Sequence, residues 1–432
     1  MILTNKTNKY LQLSKYSCSF VLFALFVVKF PVFLSAQVYP GITLEPPPLL
    51  APHLTNAPEI VSRAAVLVDA ETGTALYVKN PFTEIPPASL TKLMTMHLLQ
   101  KETDSGRASL NDIVPIGKES WAQSQPRGSS LMFLAPGQTV TVRELMLGLA
   151  VSSGNDAAVA AALYLAPTVP EFAGMMTQEA RRMGLQITRF VEPSGISEDN
   201  ITCAAEYAAF SREYLRLHPK NLAEYHSVIE FSYPKAVNVP QAFRSNPGTI
   251  SQTNRNTLLR TFPGVDGLKT GYIDESGYNI VLTAERNSTR FIAVILGAPA
   301  RPDGDRIRDR DGEALLSWAF ENFKTVRINT GPPEPARLWK GKEKQVQLAP
   351  EENPVFTAPA SRASSLRFLI RMNDPLVAPL PAGYPAGRLV ISDEIGELHQ
   401  IRLLSAREYK QGNIFRRLWD GIQLFFMNFR KK

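Results

Sequence analysis

The sequence predicts an α+β protein in which an antiparallel sheet packs against a helical cluster, followed by a small all-β domain and a C-terminal amphipathic helix. Three observations predict this. Strand signals lie at both ends of 59–327, with helical periods between them. Short apolar runs broken by Pro and Gly fill 336–404, with no helical period. Apolar residues in 411–432 recur in steps of one and three, which trace one helical face.

In chain order, 64–69 reads as a buried strand, 71–74 as a turn and 75–78 as the returning strand. A helix is expected from Ser89 to about Lys101, and others over 142–165, 169–183 and 203–217. Strands return at 268–271, 278–284 and 291–297, and an amphipathic helix over 312–323 closes the unit. Pro332, Pro333 and Pro335 mark a boundary, after which strand-like runs appear at 344–348, 365–372, 388–391 and 398–404. The expected organisation is a leader over 1–36, a Pro-rich linker or surface-hugging lead-in over 37–58, a main domain over 59–327, a β-domain over 328–406 and a helical tail over 407–432.

The 432 residues are 44% hydrophobic and 20% charged, which excludes general disorder. A net charge of +7 without a long basic run before the extreme C-terminus argues against nucleic acid as a partner. The cysteines are Cys18 and Cys203, so removal of a leader leaves no disulfide framework and no cysteine-based metal site. Five scattered His without an H-x-x-x-H pair give a zinc hydrolase little support, and no metal or cofactor is expected.

Lys6, Lys9 and Lys15 precede an apolar run over 20–34 that ends in Ser35-Ala36, the pattern of an export signal. The alternative is a retained anchor, but the run is shorter than the ~20 residues that span a bilayer. Either way the rest of the chain is expected outside the cytoplasm. At the other end, Ile414, Phe415, Leu418, Trp419, Ile422, Phe425, Phe426 and Phe429 share one helical face. Arg416, Arg417, Asp420, Gln423 and Asn428 lie elsewhere, and Arg430-Lys431-Lys432 ends the chain. Such a helix is expected to lie in a membrane interface; packing on the β-domain is the alternative.

Three short motifs carry the chemistry. Ser89-Leu-Thr-Lys92 opens a helix, and a spacing of three places the hydroxyl beside the amine. A serine hydroxyl needs a neighbouring base, and burial can make a lysine that base by disfavouring its ammonium form. Helix-start N–H groups also face developing negative charge there. Ser153-Gly-Asn155 precedes an Ala-rich helix and can present a hydroxyl and a carboxamide together. Lys269-Thr-Gly271 supplies a cation, a hydroxyl donor and a close backbone approach, a receptor for a carboxylate. Taken singly, each also has a structural reading: Ser89 as a helix N-cap, Ser153 or Asn155 as another, and 269–271 as a strand running into a turn.

Together, in this order, S-x-x-K, S-x-N and K-T-G are the motif set of penicillin-binding proteins and class A β-lactamases. The chain resembles the low-molecular-weight D-alanyl-D-alanine carboxypeptidases of that superfamily over roughly 57–430. The resemblance extends to 87–94, 153–156, 190–195, 254–256 and 265–271, to the β-domain and to the terminal helix. It implies a β-lactamase-like fold and a set of roles. Ser89 attacks the carbonyl of the penultimate D-Ala of a peptidoglycan stem peptide, or a β-lactam antibiotic, and Lys92 takes its proton. Ser153 and Lys269 form a proton relay, Asn155 holds the substrate amide, and Thr270 binds the terminal carboxylate with Arg255 as second anchor. The N–H groups of Ser89 and Tyr272 form the oxyanion hole beside Gly271. The implied location is peripheral, on the periplasmic face of a bacterial cytoplasmic membrane.

Two departures matter. Tyr272 stands where the family often has His, which leaves the backbone donor but alters the cleft. Glu192 raises a β-lactamase alternative, although its Glu-Pro-Ser-Gly-Ile context favours a loop carboxylate in a structural ion pair. A non-catalytic wall-binding protein is the third reading; intact Ser89, Lys92, Ser153, Asn155 and Lys269 argue against it.

Overall fold

The computed structural model describes residues 41–47, 50–328, 334–351 and 354–430. The leader expected over 1–36 lies outside them. β1 (Ala64–Asp69) and β2 (Ala75–Lys79) form the expected hairpin, with Val66 opposite Val78. β3 (Val265–Ile273), β4 (Gly277–Arg286) and β5 (Thr289–Ala298) come from the far end of the domain. β1 pairs antiparallel with β5, giving the order β2-β1-β5-β4-β3. Here the two ends of the domain meet in one sheet.

The unbroken apolar run of β1 follows from burial on both faces. Val66 and Val68 enter one core with Ile292 and Val294; Ala65 and Leu67 enter another with Ala293 and Ile295. The helices of the cluster are α1 (Lys92–Asp104), α2 (Val142–Leu147), α3 (Asn155–Leu165), α4 (Val169–Arg182) and α5 (Ala204–Leu217). Leu93, Phe172, Met176 and Phe210 cover the first face. α6 (Gly304–Asn322) covers the other with Leu315, Leu316 and Ala319. α2 and α3 share a third core with Met96 of α1.

Three differences from expectation have physical reasons. The helix expected over 142–165 is broken: a wide turn, Gly148–Ser152, separates α2 from α3, and Ser153 adopts a left-handed conformation (φ 56°). Apolar periodicity continues through the break because both halves pack on one core. α6 begins at Gly304, well before residue 312. Its first turns are charged, yet Arg308 and Asp311 face inward, and the Asp311 carboxylate accepts the Ser62 N–H (2.8 Å) and hydroxyl (2.5 Å). Finally, Phe323–Arg327 pairs with Val355–Pro359, so strand pairing of the second domain starts ahead of the Pro cluster. No Pro or Gly separates α6 from that strand.

The remaining strands of the second domain include Ala336–Trp339, Arg367–Met372, Pro385–Ser392 and Glu397–Ser405. Leu338, Phe356, Ile391, Ile401 and Tyr409 fill its core. Asp69 ties the domains together, accepting the Thr325 (2.8 Å) and Thr357 (3.0 Å) hydroxyls. The described part of the lead-in is packed rather than free: Ile42 and Leu50 are buried.

α7 (Ile414–Arg430) closes the described chain. It docks on the β-domain by its polar side, where Asp420 accepts the Lys340 N–H (2.6 Å) and Gln423 accepts from Arg337 (2.7 Å). Ile414, Phe415, Leu418, Trp419, Ile422, Phe425 and Phe426 are each more than half exposed. The helix thus packs on the domain and still presents its apolar face outward. Among the described residues no single helix is long and apolar enough to cross a membrane.

Candidate active site

Ser89 lies in a single tight turn, Ala88–Thr91, and α1 starts only at Lys92. The hydroxyl makes no capping bond, so the reading of Ser89 as N-cap fails. Glycine is required at two contacts around this turn. Gly195 has φ +82°, and a Cβ there would stand 1.8 Å from Ala88 O. A Cβ on Gly271 would stand 2.9 Å from both Pro87 O and Ser89 N. Gly271 thereby lets β3 close against the backbone of the serine turn.

Lys92 is fully buried, and its Nζ has three neighbours: Ser89 Oγ at 2.9 Å, Asn155 Oδ1 at 2.7 Å and Ser194 O at 2.6 Å. Burial lowers its pKa to about 7, against the opposing pull of the Glu192 and Asp156 charges. A neutral amine donates two hydrogen bonds and keeps one lone pair. With Asn155 O and Ser194 O as acceptors, that lone pair is left for the Ser89 O–H.

Asn155 has both ends of its carboxamide engaged. Its oxygen serves Lys92, and its Nδ2 donates to Ser129 Oγ (3.1 Å). Its first structural task is to hold the lysine. Ser153, two positions earlier, is also buried. Lys269 is also buried, which holds its pKa well below the usual lysine range, helped by the charges of Lys92, Arg255 and Arg308. Its Nζ donates to Thr270 O (3.0 Å), so no direct bond joins it to Ser153.

Ser89, Ser153, Arg255, Thr270, Gly271 and Tyr272 come together around a cleft of about 390 Å³. A second opening, also bordered by Ser89, is walled by Arg127, Ser130, Asn155 and Tyr272. Tyr272 is 42% exposed and packs on Tyr278 with ring centres 4.3 Å apart.

The sequence reading missed Arg308, which is 5% exposed and lines the cleft beside Tyr278. Its charged surroundings in 305–311 hid it. It also missed the bracing of β3, where His226 Nδ1 lies 3.2 Å from Leu268 O and Asn256 donates to Gly267 O (3.3 Å). Glu192 departs from expectation. Among the described residues it forms no ion pair. Its carboxylate accepts the Ser194 N–H (2.7 Å) and hydroxyl (2.5 Å), the Gly195 N–H (2.5 Å) and Asn200 Nδ2 (2.8 Å). It shapes the loop that offers Ser194 O to Lys92. Among the described residues no cluster of three or more His, Cys, Asp or Glu could hold a metal ion.

Solved structures that share this fold define the class as penicillin-binding proteins. Penicillin-binding protein 5 from Haemophilus influenzae matches with a TM-score of 0.72 and 29% identity, over 83% of this chain and 100% of that one. Penicillin-binding protein D2 from Listeria monocytogenes in its ampicillin-bound form matches with a TM-score of 0.51 and 28% identity, over 61% of this chain and 100% of that one. Residues 52–300 match the family model described as D-alanyl-D-alanine carboxypeptidase, and 320–411 match that of the penicillin-binding protein 5 C-terminal domain. The D-alanyl-D-alanine carboxypeptidase DacC of Escherichia coli is 33% identical over 392 residues, 88% of this chain and 92% of the relative. The chain belongs to the D-alanyl-D-alanine carboxypeptidase family.

Proposed function

We propose that this chain is a serine-type D-Ala-D-Ala carboxypeptidase that trims peptidoglycan stem peptides and is acylated by β-lactams. One observation carries the reading: a fully buried Lys92 amine stands 2.9 Å from the Ser89 hydroxyl. Ser89 Oγ adds to the carbonyl of the penultimate D-Ala while its proton passes to Lys92. The oxyanion meets the N–H groups of Ser89 and Tyr272, fixed donors that need no reorganisation. Collapse breaks the peptide C–N bond, and the departing D-Ala nitrogen takes the proton held by Lys92, relayed through Ser153 and Lys269. Water then attacks the Ser89 ester, giving a proton to the freed Lys92 amine, and that proton passes to Ser89 Oγ as the ester C–O bond breaks. The test is incubation with a fluorescent penicillin and with a diacyl-Lys-D-Ala-D-Ala peptide, following adduct lifetime and D-Ala release. A long-lived adduct with D-Ala release supports the carboxypeptidase. Rapid loss of the adduct without D-Ala release would assign a β-lactamase instead. The four hydrogen bonds on Glu192 argue against the latter, because they leave its carboxylate little capacity to activate a water.

Thr270, Arg255 and Arg308 make the far wall of the cleft polar and cationic, which suits a terminal carboxylate. Thr270→Val and Arg255→Ala are each expected to cost roughly 1.5–3 kcal/mol in kcat/KM, the usual worth of a hydrogen bond to a charged group. The loss should be smaller on a peptide whose terminal carboxylate is amidated. Equal losses on both peptides would remove these residues from carboxylate recognition.

The chain is further proposed to be exported by its N-terminal leader and held on the periplasmic face of the cytoplasmic membrane by α7. The exposed aromatic face supports this, since burying each large apolar side chain contributes roughly 1.5–3 kcal/mol. Deletion of 411–432 is expected to release the protein from membranes while soluble-peptide activity persists. Trp419→Glu with Phe425→Glu should act likewise. Fractionation with a parallel activity assay decides. A released but inactive protein would make α7 part of the fold, and retention would point to an uncleaved N-terminal anchor.

A further inference from the structure

A groove of about 790 Å³ separates α7 from the strand Ala336–Trp339. Arg337, Lys344, Arg416, Trp419, Asp420 and Gln423 line it. Three cations thus face one carboxylate, and that carboxylate is already engaged: Asp420 is buried and accepts the Lys340 N–H. Arg416 Nε stands 3.7 Å from Asp420 and has no hydrogen-bond partner among the described residues. Arg337 is held ready, its guanidinium 3.5 Å from the centre of the Trp339 ring system while it donates to Gln423. Lys344 sits beside it, because Leu338 N–H bonds Lys344 O (2.9 Å) where Ala336–Trp339 pairs with the short strand Gln345–Val346.

The groove's place along α7 says what fills it. Arg416, Trp419 and Gln423 follow at steps of three and four, so they form one flank of the helix. Trp419 belongs at once to this flank and to the exposed apolar face, being 63% exposed. A helix lying in a membrane interface sinks its apolar face to the acyl boundary, which leaves its flanks among the head groups. We propose that this groove binds the phosphate of an anionic phospholipid. The inference rests on the interfacial reading of α7 and adds a built receptor to it. Arg337 offers a planar fork to the phosphate oxygens and Lys344 a point charge. The exposed apolar face supplies insertion; the groove supplies lipid choice and a fixed rotation of the helix about its axis.

The experiment sediments the chain beginning at residue 37 with two vesicle types, pure phosphatidylcholine and phosphatidylcholine containing phosphatidylglycerol. The parent protein is expected on both, and more tightly on the anionic one. Arg337→Gln with Lys344→Gln should keep the phosphatidylcholine binding and lose on the order of tenfold on anionic vesicles. Lys344→Gln alone, which leaves Arg337 on Trp339, should lose severalfold. Arg371→Gln with Arg388→Gln removes the same charge from the strands Arg367–Met372 and Pro385–Ser392 and should change little. An equal loss in that control would reduce the effect to general surface charge and overturn the groove. So would a parent protein without preference for the anionic vesicles, although α7 would then stand as an interfacial helix. Absence of binding to either vesicle would overturn both readings.

Discussion

Replacement of Ser89 by Ala is expected to abolish penicillin labelling and to reduce D-Ala release on the order of 10⁶-fold, the scale seen when a serine enzyme loses its nucleophile. The fold should persist. Ser89 caps no helix, and Lys92 keeps Asn155 and Ser194 as partners when the hydroxyl is gone. Stability should therefore shift by no more than about 0.5 kcal/mol, the range of changes that disturb no packing or buried network. Three measurements on one preparation decide: a fluorescent-penicillin gel, D-Ala release and a thermal melt. Labelling that survives at the same melting temperature would mean another group is acylated. A collapse in melting temperature would show instead that the hydroxyl is structural. Glycine contacts make the site sensitive in a different way. Gly195→Ala should lose activity and stability together, since its Cβ would overlap Ala88 O.

Much of this site is legible in the sequence because catalysis here uses short local patterns. S-x-x-K within one turn and one helix start places two reacting groups by spacing alone. K-T-G on an edge strand announces itself by a glycine that no strand interior needs. The hairpin 64–79 is equally plain, since a strand covered on both faces must be apolar throughout. What spacing does not convey is the partner each polar atom takes across the fold. The Asn155 oxygen turns to Lys92 over 63 positions of sequence, and Ser194 O arrives over 102. Glu192 reads as one half of an ion pair, yet its loop folds back so that Ser194, Gly195 and Asn200 supply its partners. Arg308 is hidden for the opposite reason: buried cations are rare, and this one sits in a run of charges that reads as a solvated face. The break at 148–153 is masked because Leu149, Ala150 and Val151 carry the apolar pattern through its middle; the backbone changes there, and Ser153 comes to line the cleft.

Lys92→Ala should slow acylation by about 10²–10⁴-fold, the typical worth of a positioned base. The effect has a pH signature that a structural defect lacks. Burial holds the Lys92 pKa at about 7, from an ordinary 10.5. Below that value the amine is protonated and cannot take the Ser89 proton; above it the lone pair is available. Acylation by the parent protein should therefore rise with pH through about 7 and level off beyond. Lys269 is likewise depressed by burial, and the charge of Lys92 lowers it further. The consequence for stability has the same direction. Between about 7 and 10.5 the unfolded chain binds a proton at Lys92 that the folded chain has released. Stability from this group therefore rises with pH across that window, and below it the cost of burying the charge is fully present. In Lys92→Ala both trends should flatten, at whatever rate remains. Lys92→Arg should fare no better than Ala, because a guanidinium stays protonated throughout this range. A melt at pH 6 and pH 9 separates the two causes. If the Ala variant is slow yet keeps the rising limb, Lys92 holds Ser89 in place and another group takes its proton.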